Sequence, residues 1–206
     1  MPKKGRGRRN TFEEVPCIIG IDQSYTRTGI SIATKGKPRK AFSIDFKGVK
    51  TKTQKRLLLQ STLRKVIETC LKKYDSSEIT IIAEKIRTFT ESDSLRVDVI
   101  KAHSALMAYI VDTAAEYGIK VFSVDTRAWK SRVLGTSKPV FEPLEGVENP
   151  QKFGSVRKAI KLGFGEQMKV KSCKTRSFRY DDDMADAICI SLYGFSGYPY
   201  TLSLEQ

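Results

Sequence analysis

Six acids in this chain stand where chemistry could be done. Asp22 closes the apolar run of IIGIDQSYTRTGISIA (18–33), and Glu84 sits near the end of EITIIAEKI (78–86). Asp181, Asp182, Asp183 and Asp186 crowd the start of YDDDMADAICISLYGF. A buried ionised carboxylate is unfavourable by several kcal/mol unless something cationic compensates it. Asp183 and Asp186 are spaced i, i+3 and share a helix face, while Asp182 and Asp186 are spaced i, i+4 and compete for the same task. The helix macrodipole accounts for Asp181 and Asp182. It accounts poorly for Asp186, which lies among Ala185, Ala187 and Ile188. Carboxylates that converge on one point resist ionising, and divalent cations remove the conflict. Oxygen-only donors select Mg²⁺, with Mn²⁺ as substitute, over zinc. Two such ions per site, about 3.5 to 4 Å apart, form the clamp used for attack of water on a phosphodiester. In a basic chain this pattern reads as a nuclease; its rival is a set of scattered acids in a non-catalytic domain.

The elements that must bring these acids together follow from periodicity. VPCIIGID, GISIAT and KAFSIDF read as three strands of an antiparallel meander, with GKP (36–38) as the turn between the second and third. TKTQKRLLLQSTLRKVIETCLKKY spaces Leu59, Leu63, Val66, Ile67, Cys70 and Leu71 as one helical face. EITIIAEKI is a fourth strand. A long helix is expected from about residue 94, its inner stripe including Leu106 and Ile110, with Gly118 as its C-cap. KVFSVDT is a fifth strand, RAWKSRVLG a short helical turn, and FGSVRKAIKLGF a short amphipathic helix. YDDDMADAICISLYGF closes the series as a helix. The result is an α/β protein whose central mixed five-stranded sheet is flanked by helices, and no GxGxxG supports a dinucleotide-binding alternative. Asp22 and Glu84 fall at the ends of neighbouring strands, and a helix across the sheet's end would bring its first turn over both.

Composition narrows the partner. The 206 residues suit one domain, read as a basic disordered arm over 1–14 and a folded domain over 15–206, with a basic insertion over 136–180. With 37 Lys plus Arg against 23 Asp plus Glu the formal charge is +14, which favours nucleic acid as partner. No apolar run reaches the roughly 20 residues that span a bilayer, and the start has no signal-peptide pattern. The expectation is a soluble intracellular protein with no membrane role. Cys17, Cys70, Cys173 and Cys189 form no CxxC pair, so zinc and disulfide readings are weak. In the insertion, KVKSCKTRSFRY interleaves cations with aromatics, as expected where a nucleic acid lies in a cationic groove. Lys169, Lys171, Lys174, Arg176, Phe178 and Arg179 are therefore candidate DNA contacts. Lys130 and Arg132 are two more. Trp129 reads as core, Asp125 as a capping or supporting acid, and His103, the single histidine, as a packing or dimer residue.

Order and local sequence together resemble the RuvC Holliday junction resolvases of the RNase H-like (retroviral integrase-like) superfamily. IIGIDQSYTRTGISI resembles the family's first-strand motif, IIAEKI its Glu-bearing strand, residues 92–135 its long helix, fifth strand and following turn, and DDDMADAICIS its closing Asp-x-x-Asp-Ala helix. The resemblance covers most of 16–135 and 181–195. It implies an RNase H-like fold with metal ligands and catalytic acids at Asp22, Glu84, Asp183 and Asp186, with Asp182 an alternative to Asp183. It further implies a homodimer, packed partly through the long helix, that nicks symmetric strands of a four-way junction and leaves 5′-phosphate and 3′-hydroxyl ends.

This chain departs from the family in three ways. Arg87 stands where bacterial members place an aromatic wedge, and Phe89 close behind becomes the candidate for opening the junction. The basic insertion is longer, and the arm is extra. Such embellishment suits a phage or other viral branch, expressed in host cytoplasm, whose substrates extend to forks, flaps and other branched DNA. Two rivals remain. An actin-like or sugar-kinase ATPase also carries an Asp before a small polar turn, but usually needs two lobes. A catalytically silent branched-DNA-binding protein would keep the fold without assembling the acids.

Overall fold

The computed structural model describes residues 15–85, 97–138, 142–171, 178–196 and 202–204. The arm over 1–14, Arg87, Phe89, Cys173, Lys174 and Arg176 lie outside them.

The elements run β1 (Cys17–Asp22), β2 (Arg27–Thr34), β3 (Lys37–Asp45), α1 (Lys52–Leu71), β4 (Ile79–Glu84), α2 (Val97–Ala115), β5 (Lys120–Val124) and α3 (Thr126–Leu134). They continue with α4 (Phe153–Lys161), β6 (Lys169–Lys171), β7 (Phe178–Tyr180), α5 (Asp182–Tyr193) and β8 (Leu202–Leu204). The five expected strands form one mixed sheet, in the order β3-β2-β1-β4-β5, and the three-residue β8 pairs antiparallel with β5 at its edge. The β1–β2–β3 meander is antiparallel, whereas β1–β4 and β4–β5 are parallel.

Every residue of β1 is buried, because helices cover both faces of the sheet. Period two then sorts its side chains. Cys17, Ile19 and Ile21 join Ile79, Ile81 and Ala83 of β4 in the core beneath α1 and α2. Ile18 and Ile82 point the other way, into a core with Trp129 of α3 and Cys189, Ile190 and Tyr193 of α5. Asp22 and Glu84 continue that second set, so both acids fall on the α5 face. A third cluster, Val156, Ala159, Phe164, Met168, Met184, Ala185 and Ile188, docks α4 on α5.

In this structure α5 lies flat on the sheet rather than across its end. A Cβ on Gly20 would sit 2.5 Å from Ala187 O and 2.5 Å from Ser191 N. One on Gly29 would collide with the Asp183 carbonyl. Gly29 is the cross-strand partner of Asp22, so the first turn of α5 rests on the rung that carries the acid. Only glycine permits such an approach of helix main chain to strand. A buried Ser31 Oγ–Ser191 Oγ pair at 3.1 Å completes the seam.

The insertion is structured where it is described. A 3-10 turn at Pro150–Lys152 leads into α4, and β6 pairs antiparallel with β7 in a separate two-stranded ribbon. The ribbon escaped the sequence reading because three-residue strands carry no measurable alternation.

Candidate metal and nucleic-acid site

Asp22 and Glu84 end adjacent parallel strands, whose last paired rung is Ile21–Ala83. There the β1 main chain turns away, and the side chain of Gln23 takes its place. Its Nε2 donates to Glu84 O, and its Oε1 accepts from Glu84 N at 3.2 Å. A side-chain amide thus adds one more rung and fixes the backbone of Glu84. The Glu84 carboxylate is held as firmly: Thr126 Oγ1 donates to Oε1 at 2.5 Å and Trp129 Nε1 donates to Oε2 at 3.0 Å. Both donors come from α3, which starts beside the strand end because Asp125 caps it, accepting from Arg127 N at 2.7 Å.

α5 supplies the remaining acids. Asp181 is its N-cap, accepting from Met184 N at 3.1 Å, and it also accepts from Ser43 Oγ at 2.7 Å and Arg27 Nη1 at 3.4 Å. The carboxylates of Asp181, Asp182 and Asp183 approach within 4.8 Å of one another, but the oxygens of Asp181 are already engaged as cap and ion-pair partner. The grouping that includes Asp22 has more free acceptor capacity. Asp22 is 8% exposed and Asp186 only 2%, and one amine meets both: Lys152 Nζ lies 2.5 Å from Asp186 Oδ2 and 3.6 Å from Asp22 Oδ2. Asp186 Oδ1 is buried and has no hydrogen-bond partner among the described residues.

The electrostatics follow from this crowding. Burial holds Asp22 well above the usual carboxylate range; Lys152 opposes the shift, while Asp186, Glu84 and Asp183 add to it. Burial raises Glu84 as well, and the Thr126 and Trp129 donors pull against it. Burial pushes Asp183 up to about 7 against the partial relief of Lys152. For Lys152, burial is the largest influence and acts downward. Asp186 and Asp22 together outweigh it and hold the amine well above the usual lysine range. Asp183 contributes to the field at Asp22 and Arg27, and Asp182 to that at Lys152.

One ammonium therefore pairs with Asp186 and Asp22 and acts electrostatically on Glu84, Asp183 and Asp182. The orphaned Asp186 Oδ1 and the oxygen-only donor set fit hard divalent cations. Asp22, Glu84, Asp186 and, at the start of α5, Asp183 or Asp182 could supply oxygens to them.

Sequence reasoning missed Lys152, Gln23, Thr126 and the second role of Trp129. Lys152 was one cation among many in a basic stretch. A signal existed in NPQKFGS, which puts a lysine at the start of a helix, where the macrodipole disfavours it unless acids lie opposite.

The proposed DNA contacts divide. Lys130 is buried and its Nζ donates to Gln151 O at 3.1 Å, so it is turned inward, bracing the turn that carries Lys152 rather than facing a phosphate. Arg132 Nη2 donates to Ser196 O at 3.3 Å. Lys169 and Lys171 are exposed on β6, and Phe178 and Arg179 half-buried on β7. Lys169 Nζ pairs with Glu166 at 2.7 Å and lies 5.0 Å from the centre of the Phe178 ring. His103 is half-buried on α2, with burial lowering its pKa.

No protein-family model matches the chain, and neither does any curated protein sequence. The likeness to known proteins is in structure. The mixed sheet with its flanking helices has an RNase H-like fold of the RuvC type. The chain is similar to the Thermus thermophilus RuvC structure, with 13% identity, 91% of this chain and 99% of that one covered, and a TM-score of 0.56. It is also similar to T. thermophilus RuvC in complex with a Holliday junction substrate, with 12% identity, 91% and 98% covered, and a TM-score of 0.58. Among the described residues no helix is long and apolar enough to cross a membrane.

Proposed function

We propose that this chain is a divalent-metal-dependent endonuclease that resolves four-way DNA junctions. The observation that carries the reading is the buried pair Asp22 and Asp186 sharing Lys152, with Glu84 and Asp183 acting on Asp22 and the buried Asp186 Oδ1 unpartnered among the described residues, in a chain of charge +14. The RuvC-type fold supports the substrate class, since one solved relative in shape is bound to a Holliday junction.

In this reading Asp22, Glu84, Asp183 and Asp186 hold two Mg²⁺ or Mn²⁺ ions. Held there, such ions would supply activation of water and compensation of charge at the phosphodiester. The protein's own groups do the rest. Gln23, Thr126 and Trp129 keep Glu84 in place, and Asp181 with Arg27 and Ser43 anchors the start of α5. Lys152 keeps a positive charge between Asp22 and Asp186, which draws the two side chains toward each other. The β6–β7 ribbon, with Lys169, Lys171, Phe178 and Arg179, contacts the DNA, as do Lys174, Arg176 and Arg87 by sequence, while Phe89 is the candidate for opening the junction. A homodimer would apply two such sites to symmetric strands and leave 5′-phosphate and 3′-hydroxyl ends. Action on forks and flaps, and a phage or viral setting, are part of the proposal through the arm over 1–14 and the insertion over 136–180.

A second reading has one observation in its favour. Because Lys152 already pairs with Asp186 and Asp22, a protein that binds branched DNA without cutting it would also find this arrangement stable. The test is a denaturing-gel assay on a synthetic four-way junction, a fork and plain duplex, each with Mg²⁺, Mn²⁺ or EDTA, with Asp22→Asn alongside. Paired, metal-dependent nicks that vanish in the variant are expected. Tight junction binding with no cleavage in either metal would favour the silent binder.

A further inference from the structure

Glu84 is the most thoroughly fastened acid of the cluster, and its fastenings have a consistent design. Gln23 bonds the backbone in both directions. Thr126 and Trp129 donate one hydrogen bond to each carboxylate oxygen. An ionised carboxylate has about four lone-pair sites, so these two donors leave each oxygen a free site while removing the freedom of the carboxylate to rotate. Neutral donors do this without neutralising the charge, unlike a lysine or arginine at the same place. Trp129 is fully buried and is the chain's single tryptophan. A buried indole N–H needs an acceptor, and here that acceptor is the carboxylate of Glu84 rather than a main-chain carbonyl.

We propose that Thr126 and Trp129 are positioning residues that preset the Glu84 carboxylate for a divalent cation, and that the Trp129 indole senses occupation of the site through that bond. This rests on the metal-dependent reading above. Groups that orient a metal's carboxylate or imidazole ligands typically change metal affinity by about 10-fold to 100-fold when removed.

The experiment uses the intact protein with Mn²⁺ as probe. Titration of the wild type should change Trp129 emission saturably, and Glu84→Gln should abolish the change. By calorimetry, Thr126→Val and Trp129→Phe should each weaken Mn²⁺ binding by about 10-fold to 100-fold. Thr126→Ser should restore it, and junction binding in EDTA should be unaltered throughout. Cleavage by the Val and Phe variants should recover at saturating Mn²⁺, since the loss lies in metal affinity. Folded variants with wild-type Mn²⁺ affinity would overturn the inference while leaving the nuclease reading untouched. Because removing a buried indole can unfold the protein, Thr126→Val decides the matter if Trp129→Phe does not fold. A wild type that binds Mn²⁺ with the emission change yet cuts nothing would support the inference and sink the nuclease reading. No Mn²⁺ binding by the wild type would sink both.

Discussion

The two halves of the acid cluster are held in opposite ways. On the β4 side, Glu84 is gripped by neutral donors that fix its geometry and leave its charge whole. On the α5 side, Asp186 and Asp22 share a lysine that compensates their charge but leaves Asp186 Oδ1 without a partner among the described residues. Geometry and charge compensation are thus separate tasks, given to separate elements: α3 orients and the turn before α4 compensates. A site in which orientation does not depend on the compensating cation can exchange that cation and keep its shape.

The sharpest way to break the contrast is to remove the compensation. Lys152→Met should destabilise the metal-free protein near neutral pH by about 3 kcal/mol, because two buried acids lose their counter-charge. Urea denaturation measures this, and added Mn²⁺ should recover most of the loss. If Mn²⁺ does not, the acids do not share a metal site. Next comes the seam that sets the distance between the halves. Gly29→Ala puts a methyl group against the Asp183 carbonyl and should be destabilising by about 2 kcal/mol as α5 is lifted. Mn²⁺ affinity should fall as well, while a similar small-to-large change at the exposed turn glycine Gly36 should leave metal affinity alone.

The pH response sharpens the same point. Asp183 lies near 7 in the folded protein against an ordinary value of 3.8, so the folded state binds its proton more tightly than the unfolded chain. Its contribution to stability is therefore present below about pH 4 and is lost as pH rises through about 7. The metal-free melting temperature should fall over that window, and Mg²⁺ or Mn²⁺ should raise it more at about pH 8 than at about pH 5.5. A flat metal-free profile would mean that Asp183 is not confined with the other acids. The smallest effect on the site should come from the ribbon. Charge reversal at Lys169, Lys171 and Arg179 should weaken junction binding and reduce its salt slope by about one for each phosphate no longer neutralised. Mn²⁺ affinity should stay unchanged.

Much of the site was legible because two patterns mark it. The ends of two apolar runs mark Asp22 and Glu84 as strand-end acids of neighbouring strands, and the i, i+3 spacing of Asp183 and Asp186 assigns them to one side of a helix. The parallel pairing of β1 with β4 needs only the order of the elements. What was not legible depends on contacts between distant segments. Lys152 has no periodic signature, and Trp129 looks like any core aromatic until its N–H is seen to point at Glu84. Lys130 read as a phosphate contact because lysines in basic chains usually face solvent, whereas the Gln151 carbonyl turns this one inward. The orientation of α5 was misjudged for a related reason. Gly20 and Gly29 lie inside runs read simply as strands, and their meaning as a bed for a helix appears only when the helix lies on them.

That bed also sets the order in which the molecule comes into being. Asp22 and Glu84 belong to strands that pair with each other, but Asp186 joins them only when a helix begun nearly a hundred residues after β4 settles into the glycine seam. During synthesis, segments nearer the N-terminus emerge and fold first. Each new molecule therefore holds two of its four acids at the strand ends well before it can hold all four. The closing of α5 onto β1 and β2 is the step at which a folded sheet gains the acids of the helix, so the strand ends alone do not make the cluster.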